Sequence, residues 1–143
     1  MGTLGINGLN SVSSAGKSVR VLLVDDDPQV LKVVKRTVKD VVETQGDTFI
    51  PRSFYNSEDA LKALDNESFD FLLTDGDVPN EGDGVDIVKK AASKGFTPLQ
   101  ILMLSGNDNL KSKVSGKASF LGKIQIIKLA DTVRNMLYPK AKP

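Results

Sequence analysis

Short apolar runs alternate with helix-like stretches along the chain, and this alternation limits the possible folds more than any other feature. The runs typical of strands cover residues 19–24, 48–55, 71–74, 99–104 and 118–121. Each is followed by apolar residues at the spacing of a helix. Strands and helices in this order form βαβ units, which build a parallel sheet with right-handed crossovers. We therefore predict an α/β, doubly wound fold: a three-layer sandwich in which five helices cover both faces of a five-stranded parallel sheet.

The helices are predicted from apolar periodicity and from residues that start or stop a helix. The first begins at about Pro28, which fits a first helical turn, and an acidic residue just before Pro28 is expected to cap the free amides. The second has Ser57 as its candidate N-cap, and the third follows Gly84. A short fourth helix is predicted from Leu110 and Val114. The fifth helix is predicted from the spacing of Ile126, Ile127, Ala130, Val133 and Leu137.

The chain of 143 residues fits a single domain. Residues 1–17 are rich in glycine, serine and asparagine and lack apolar periodicity, so we expect a flexible leader before a folded domain at 18–138 and a short tail at 139–143. The leader lacks the basic start and apolar centre of a signal peptide. No apolar run approaches the roughly 20 residues of a membrane span, so no membrane partner is expected.

Composition excludes several kinds of chemistry. The chain has no cysteine and no histidine, which removes disulfides, thiolate zinc sites and the commonest general base. Without cysteine nothing indicates secretion, and we expect a cytoplasmic protein. The 19 basic and 18 acidic side chains leave a net charge of +1. The chain therefore lacks the excess of positive charge that indicates direct binding to nucleic acid. Any chemistry must come from carboxylates, hydroxyls, lysines and the backbone.

Polar residues follow four of the predicted strands at the point where each strand ends. Asp25 and Asp26 follow the first strand, Asp75 follows the third, Ser105 the fourth, and Lys123 comes just after the fifth. The carboxyl ends of parallel strands lie at one edge of a sheet, where open α/β sheets bind ligands. Carboxylates crowded at this edge repel one another by roughly 4 kcal/mol for each close pair. The group therefore requires a cation or a bound proton.

The residue types at this edge are suited to phosphoryl chemistry with a magnesium ion. A site made only of oxygen ligands suits Mg²⁺ better than Zn²⁺. One carboxylate oxygen of Asp75 can then act as a nucleophile toward a phosphoryl group, as carboxylates do in aspartyl-phosphate chemistry. Lys123 and the Ser105 hydroxyl are placed to hold the phosphoryl oxygens.

This order of residues resembles the receiver domain of two-component response regulators. The likeness consists of an acidic pair after strand one, a lone aspartate after strand three with a proline four residues later, a hydroxyl after strand four and a lysine after strand five. It covers roughly residues 19–137. It implies a flavodoxin-like, CheY-like fold in which Asp75 is the phosphoacceptor of a phosphorelay. The other site residues that the resemblance implies are the Mg²⁺ ligands Asp25, Asp26 and Asp75, the backbone carbonyl of Asp77 at the metal, the switch hydroxyl Ser105, the phosphate contact Lys123 and the aromatic switch Phe120.

The resemblance also implies partners. A sensor histidine kinase or a histidine phosphotransfer protein would supply the phosphoryl group, and a downstream protein would bind the face formed by helix 4, strand 5 and helix 5. The chain is then a phosphoacceptor and a conformational switch, not an enzyme in its own right.

Three features depart from the family pattern. Ile124 replaces the usual proline after the lysine, the segment from Ser105 to Lys123 is a few residues short, and the loop at 80–84 carries one extra residue.

Two other functions are compatible with the sequence. The stretch Asp75-Gly76-Asp77-Val78 also resembles the nucleophile motif of haloacid-dehalogenase-type phosphatases, although their nucleophile follows the first strand of the core. A receiver fold can also act as a binding module that is never phosphorylated. Taken singly, the candidate residues have plainer explanations, as helix caps, a turn hydroxyl or an aromatic side chain packed against the sheet edge; these are Asp25, Asp26, Ser105 and Phe120.

Overall fold

The computed structural model describes residues 16–140, and within them five parallel strands form one sheet. The strands are β1 (Ser18–Val24), β2 (Thr48–Phe54), β3 (Phe71–Thr74), β4 (Ile101–Ser105) and β5 (Ser119–Gly122). Their spatial order is β2-β1-β3-β4-β5, and every neighbouring pair is parallel. The predicted doubly wound sheet is confirmed. Pro51 lies on the edge strand β2, where a missing backbone donor is tolerated.

Four α-helices cover the sheet in the described part of the chain. They are α1 (Pro28–Thr44), α2 (Ser57–Asn66), α3 (Asp83–Ser93) and α4 (Leu129–Leu137). The side chain of Asp27 accepts a hydrogen bond from the Gln29 amide, so the expected acidic cap of α1 is Asp27. The prediction that Ser57 caps α2 is wrong by one residue. Asn56 has the extended backbone of a cap and accepts from the Asp59 amide, whereas Ser57 already belongs to the helix.

The sheet separates two hydrophobic cores, and the alternation of side chains along β1 contributes to both. Val21 and Leu23 pack on the face covered by α1 and α4. Leu22 and Val24 pack on the opposite face with residues of α2 and α3. All four side chains are fully buried. Because β1 is covered on both faces, its sequence is a continuous apolar run, and the three-layer arrangement is confirmed.

The predicted fourth helix is absent from the described structure. A single 3₁₀ turn, Asp108–Leu110, follows β4, and turns lead from there to β5. Leu110 and Val114 are buried and hold this segment against the sheet. Two apolar side chains do not stabilise a helix of this length, and Gly116 takes a left-handed φ of 80° just beyond them. Four helices therefore accompany the sheet instead of five.

The last helix begins later than predicted. Residues Lys123–Lys128 form a distorted 3₁₀ segment with a non-helical Gln125, and α4 starts only at Leu129. The prediction that Ile127 belongs to this helix is wrong, because it lies in the 3₁₀ segment and its side chain is 90% exposed. A 3₁₀ segment has a different angular spacing from an α-helix, so residues before Leu129 do not continue the apolar stripe of α4.

The fourth strand also begins two residues later than predicted. Pro98–Gln100 form a 3₁₀ turn before β4. The Gln100 side chain accepts a hydrogen bond from the Thr97 amide at 2.9 Å, which closes this turn. Leu99 is therefore part of a turn and is exposed, although it belongs to the apolar run in sequence.

The two ends of the described chain meet at the amino edge of the sheet. Asp47 accepts hydrogen bonds from the Lys17 amide at 3.0 Å and from the Tyr138 hydroxyl at 2.6 Å. Most of the predicted leader, residues 1–15, and residues 141–143 of the predicted tail lie outside the described residues. None of the helices described is both long enough and apolar enough to cross a membrane.

Candidate functional site

The candidate site lies at the carboxyl edge of the sheet, between β1 and β3. The chain places β2 on one side of β1 and β3 on the other, which opens a crevice where the strand order reverses. Val24 is the register partner of Thr74, so the residues that follow these strands, Asp25 and Asp75, lie side by side. The Asp75 amide donates to the Val24 carbonyl at 2.8 Å. This bond extends the strand pairing and fixes the backbone of Asp75.

Three carboxylates gather in this crevice. Asp25 and Asp75 are only 2% and 5% exposed, and Asp26 is exposed. One carboxylate oxygen from each lies within 4.8 Å of the others. The neighbouring Asp27 caps α1, and its amide donates to the Asp25 carboxylate at 2.9 Å. The structure therefore brings Asp25, Asp26 and Asp75 together.

Lys123 brings a positive charge to these acids. Ser105 and Gly122 are register partners at the ends of β4 and β5, so Lys123 leaves the sheet beside the crevice. Its Nζ lies 3.0 Å from Asp75 Oδ2 and 3.2 Å from Asp25 Oδ2. Burial lowers the pKa of Lys123, but the hydrogen bond to Asp75 and the charges of both acids outweigh burial, so the pKa is raised. The lysine is positively charged, and Ile124 in place of a proline does not keep it from the acids.

Burial makes ionisation of Asp25 costly. Desolvation raises the pKa of Asp25, and the charge of Asp75 raises it further. The hydrogen bond from the Asp27 amide and the ammonium of Lys123 oppose these effects and offset them only in part. A buried carboxylate in this state gains from a nearby cation.

Both carboxylate oxygens of Asp75 have a donor. Oδ1 accepts from the Gly76 amide at 2.6 Å, and Oδ2 accepts from Lys123 Nζ at 3.0 Å. These two contacts hold the carboxylate in one orientation. Donors fixed in this way are suited to stabilise negative charge at this position.

Ser105 ends β4 with a fully buried side chain. Its Oγ accepts a hydrogen bond from the Asn107 amide at 3.0 Å. A Cβ added to Gly76 would lie 2.8 Å from this oxygen, so the hydroxyl lies against the residue that follows Asp75. The structure thus places Ser105 at the same edge as the three acids.

Two further residues predicted for the site make other contacts. The Asp77 carboxylate accepts from the Gly82 amide at 2.9 Å, so its side chain stabilises the loop after β3. The role predicted for Asp77 concerns its backbone carbonyl and stays a prediction. Phe120 is half-buried on β5 and packs against the core shared with α2 and α3. Its role as an aromatic switch also stays a prediction.

Gly84 belongs to the site region in a way that the sequence interpretation missed. From sequence, Gly82 and Gly84 are interpreted only as turn formers. A Cβ on Gly84 would lie 2.0 Å from the Asp75 carbonyl oxygen, and the Gly84 amide donates to the Gly76 carbonyl at 2.9 Å. The first turn of α3 therefore packs directly on the backbone of Asp75. The prediction started this helix after Gly84, whereas α3 begins at Asp83 and contains Gly84 in its first turn, so no clear signal of the contact was present in the sequence.

The acids present fit a hard divalent cation. Asp25, Asp26 and Asp75 offer only oxygen ligands, which Mg²⁺ prefers. Asp26 is exposed, so water has access to the outer side of the cluster. Mg²⁺ usually keeps several water ligands in proteins. These three side chains are therefore the candidate magnesium ligands.

Known structures share this fold. The response regulator receiver protein of Sinorhizobium medicae WSM419 matches with a TM-score of 0.65 at 20% identity, over 86% of this chain and 98% of that one. A CheY-like response regulator receiver domain of Methylobacillus flagellatus gives 0.58 at 20% identity, over 82% and 98%. The response regulator TrrA of Thermotoga maritima, solved in complex with Mg²⁺ and BeF, gives 0.55 at 19% identity, over 78% and 98%.

The sequence itself matches a family model. The model described as the response regulator receiver domain covers residues 21–124 of the 143. This segment includes the three acids, Ser105 and Lys123. Since the match spans well over half of the chain, the chain belongs to the response regulator receiver domain family.

Proposed function

We propose that Asp75 accepts a phosphoryl group in a two-component phosphorelay, with Mg²⁺ bound at the neighbouring acids, and that this changes the conformation of the chain. One observation carries the proposal: the Lys123 ammonium lies 3.0 Å from Asp75 and 3.2 Å from Asp25. A cation shared by two buried carboxylates would contact a phosphoryl oxygen once one of them is phosphorylated. Membership in the receiver family supports the same conclusion.

The proposed transfer is a substitution at the phosphorus atom. One carboxylate oxygen of Asp75 attacks the phosphorus of a phosphohistidine on the donor protein, and the new O–P bond forms as the P–N bond breaks. The electron pair of the broken bond returns to the imidazole nitrogen. The product on this chain is an acyl phosphate, and no oxidant or reductant is consumed. Bound Mg²⁺ would neutralise negative charge on the transferred oxygens.

Three further residues would respond to the phosphoryl group. Lys123 donates to one phosphoryl oxygen, and the Ser105 hydroxyl donates to another. Ser105 lies on β4 and Phe120 on β5, and these strands are neighbours in the sheet. A change at Ser105 would therefore reach Phe120 through adjoining strands. Such a shift between two conformations is the switch that we propose.

The proposed partners are a sensor histidine kinase or a histidine phosphotransfer protein on the donor side, and a downstream protein on the output side. For the output side, the sequence predicted a face made of helix 4, strand 5 and helix 5. The described chain has turns in place of that fourth helix. The proposed face therefore consists of β5, the 3₁₀ segment Lys123–Lys128 and α4.

A phosphatase of the haloacid-dehalogenase type fits the arrangement less well. Asp75 follows β3, whereas the nucleophile of that family follows the first strand of its core. The paired acids of this chain, Asp25 and Asp26, follow β1 and lie upstream of Asp75. Receiver domains are in general signalling modules, and we propose a stoichiometric phosphoacceptor in place of a turnover enzyme.

Labelling by a small phosphodonor such as acetyl phosphate tests the proposal. The native chain should take up one phosphoryl group in the presence of Mg²⁺ and none after chelation, and Asp75→Asn should remove the label. Asp108→Asn is the matched control, because Asp108 is exposed and lies outside the three-acid cluster. Equal labelling of the native chain and Asp75→Asn would contradict the proposal, and repeated turnover of phosphate esters would favour the phosphatase. A receiver that binds partners but takes up no label would be the phosphorylation-independent module.

A further inference from the structure

The orientation of the Ser105 hydroxyl depends on Asn107. Ser105 is fully buried, and its Oγ accepts from the Asn107 amide at 3.0 Å. Within residues 16–140, the Ser105 hydroxyl forms this hydrogen bond as an acceptor and forms none as a donor. A buried hydroxyl that accepts one bond and donates none can donate to a new oxygen bound nearby. The Asn107 amide therefore restrains the orientation of this hydroxyl.

Asn107 is itself held by contacts on both sides of its side chain. Its Nδ2 donates to Glu81 Oε2 at 3.2 Å, and its Oδ1 accepts from the Asn109 amide at 3.2 Å. Glu81 lies in the loop after Asp75, whereas Asn107 lies in the loop after Ser105. The bond between Glu81 and Asn107 therefore connects the two loops that border the site.

The loop that carries Glu81 has its own internal contacts. The Gly82 amide donates to the Asp77 carboxylate at 2.9 Å, and the Asn80 amide donates to the Asp83 carboxylate at 3.0 Å. Hydrogen bonds on either side of Glu81 reduce the freedom of its backbone. Glu81 is exposed, but its carboxylate reaches Asn107 from a restrained backbone.

We propose that Glu81 and Asn107 are positioning residues that hold the Ser105 hydroxyl in the orientation of the unphosphorylated chain. This inference rests on the proposed function, because it concerns how Ser105 reaches a phosphoryl oxygen on Asp75. Turning the hydroxyl toward that oxygen stretches or breaks its bond to the Asn107 amide unless Asn107 moves too. The bond to Glu81 opposes that movement. The contact between the loops thereby weakens the response to phosphorylation.

The test uses beryllium fluoride with Mg²⁺ as a probe for a phosphoryl group, with affinity measured from the amide resonances of Gly76 and Asn107. Glu81→Ala removes the contact and should bind the probe about two- to tenfold more tightly, the factor that corresponds to one ordinary hydrogen bond. Glu81→Gln keeps an acceptor for Asn107 and should stay close to the native chain. Glu43→Ala removes an exposed acid on α1 and should change nothing.

A second measurement needs neither metal nor probe. Hydrogen exchange of the Asn107 amide should be faster in Glu81→Ala than in the native chain and unchanged in Glu81→Gln, because only the alanine releases the loop. The proposal is overturned if Glu81→Ala has native probe affinity and native exchange. It is also overturned if Glu81→Gln matches Glu81→Ala, since the effect would then come from charge. Binding of the probe by Asp75→Asn as tightly as by the native chain would instead refute the proposed function, and the exchange measurement would still decide whether the contact holds Asn107.

Discussion

The Lys123 ammonium lies 3.0 Å from Asp75 Oδ2. The site residue that comes last in the sequence thus forms an ion pair with the acid that directly follows β3. The same nitrogen lies 3.2 Å from Asp25 Oδ2. Asp25 and Asp75 are almost completely buried, whereas the Lys123 side chain is 28% exposed. One partly exposed cation therefore balances two buried carboxylates, and the stability of the chain should depend on it.

Lys123→Met should destabilise the metal-free chain at neutral pH. Breaking a buried ion pair costs about 3–5 kcal/mol because a charge is left unpaired. Partial exposure of Lys123 lowers this cost, and we expect roughly 1–3 kcal/mol in the free energy of unfolding measured with urea. Added Mg²⁺ should raise the melting temperature of Lys123→Met more than that of the native chain, since the metal then supplies the missing charge. An equal rise in melting temperature in both chains would show that Lys123 and the metal do not neutralise the charge of the same acids.

Asp26→Asn should weaken Mg²⁺ binding and leave the fold intact. Asp26 is exposed, so its loss removes no core contact, but it takes one of three charges from the cluster. A close charge pair near a protein surface is worth a few kcal/mol, so we expect the affinity to fall at least about tenfold. The Mg²⁺-induced rise in melting temperature measures this change.

Asp27→Asn is the control for that experiment. Asp27 carries the same charge one residue further along, but its side chain caps α1, and asparagine caps helices equally well. Its affinity for Mg²⁺ should stay near that of the native chain. A loss as large as that of Asp26→Asn would mean that net charge, and not the three-acid cluster, determines binding.

The sequence predicted the central strand β3 well and the segment between β4 and β5 poorly. The strand at Phe71–Thr74 agrees with the prediction to the residue, because a strand buried on both faces is a continuous apolar run with clear breaks around it. The segment between β4 and β5 was not predictable. Leu110 and Val114 are four residues apart, and this spacing fits a helix as well as a loop pinned at two points. Only their tertiary contacts distinguish these structures.

The site was predictable where it depends on topology and not where it depends on loops. Parallel strands bring their carboxyl ends to one edge, so the meeting of Asp25, Asp75 and Lys123 followed from the order of the strands. The contact between Glu81 and Asn107 depends on the paths of two loops, for which no periodic pattern exists.

Gly84→Ala should destabilise the chain and disturb the site. The added Cβ would lie 2.0 Å from the Asp75 carbonyl oxygen, a backbone atom that cannot turn away. Overpacking of this kind costs about 1–3 kcal/mol or more, which urea denaturation measures. Gly106→Ala is the matched control, because a Cβ there has no neighbour within 4 Å and should leave stability nearly unchanged. If both variants unfold like the native chain, α3 does not pack on Asp75 as described.

Tyr138→Phe should change how the free energy of unfolding of the chain depends on pH. The Tyr138 hydroxyl donates to the Asp47 carboxylate at 2.6 Å, and this bond is the main reason that the pKa of Asp47 is lowered below 3.8. A lowered folded-state pKa stabilises the fold above the ordinary value and loses that contribution as the pH falls through the folded-state pKa. The native chain should therefore be more stable than Tyr138→Phe by a constant amount between pH 5 and 7, and the difference should shrink below about pH 4. Urea denaturation across this range measures it, with Tyr55→Phe as the control because Tyr55 is 55% exposed. A difference that stays the same down to the lowest pH would mean that Tyr138 stabilises the chain by packing and not through the ionised carboxylate.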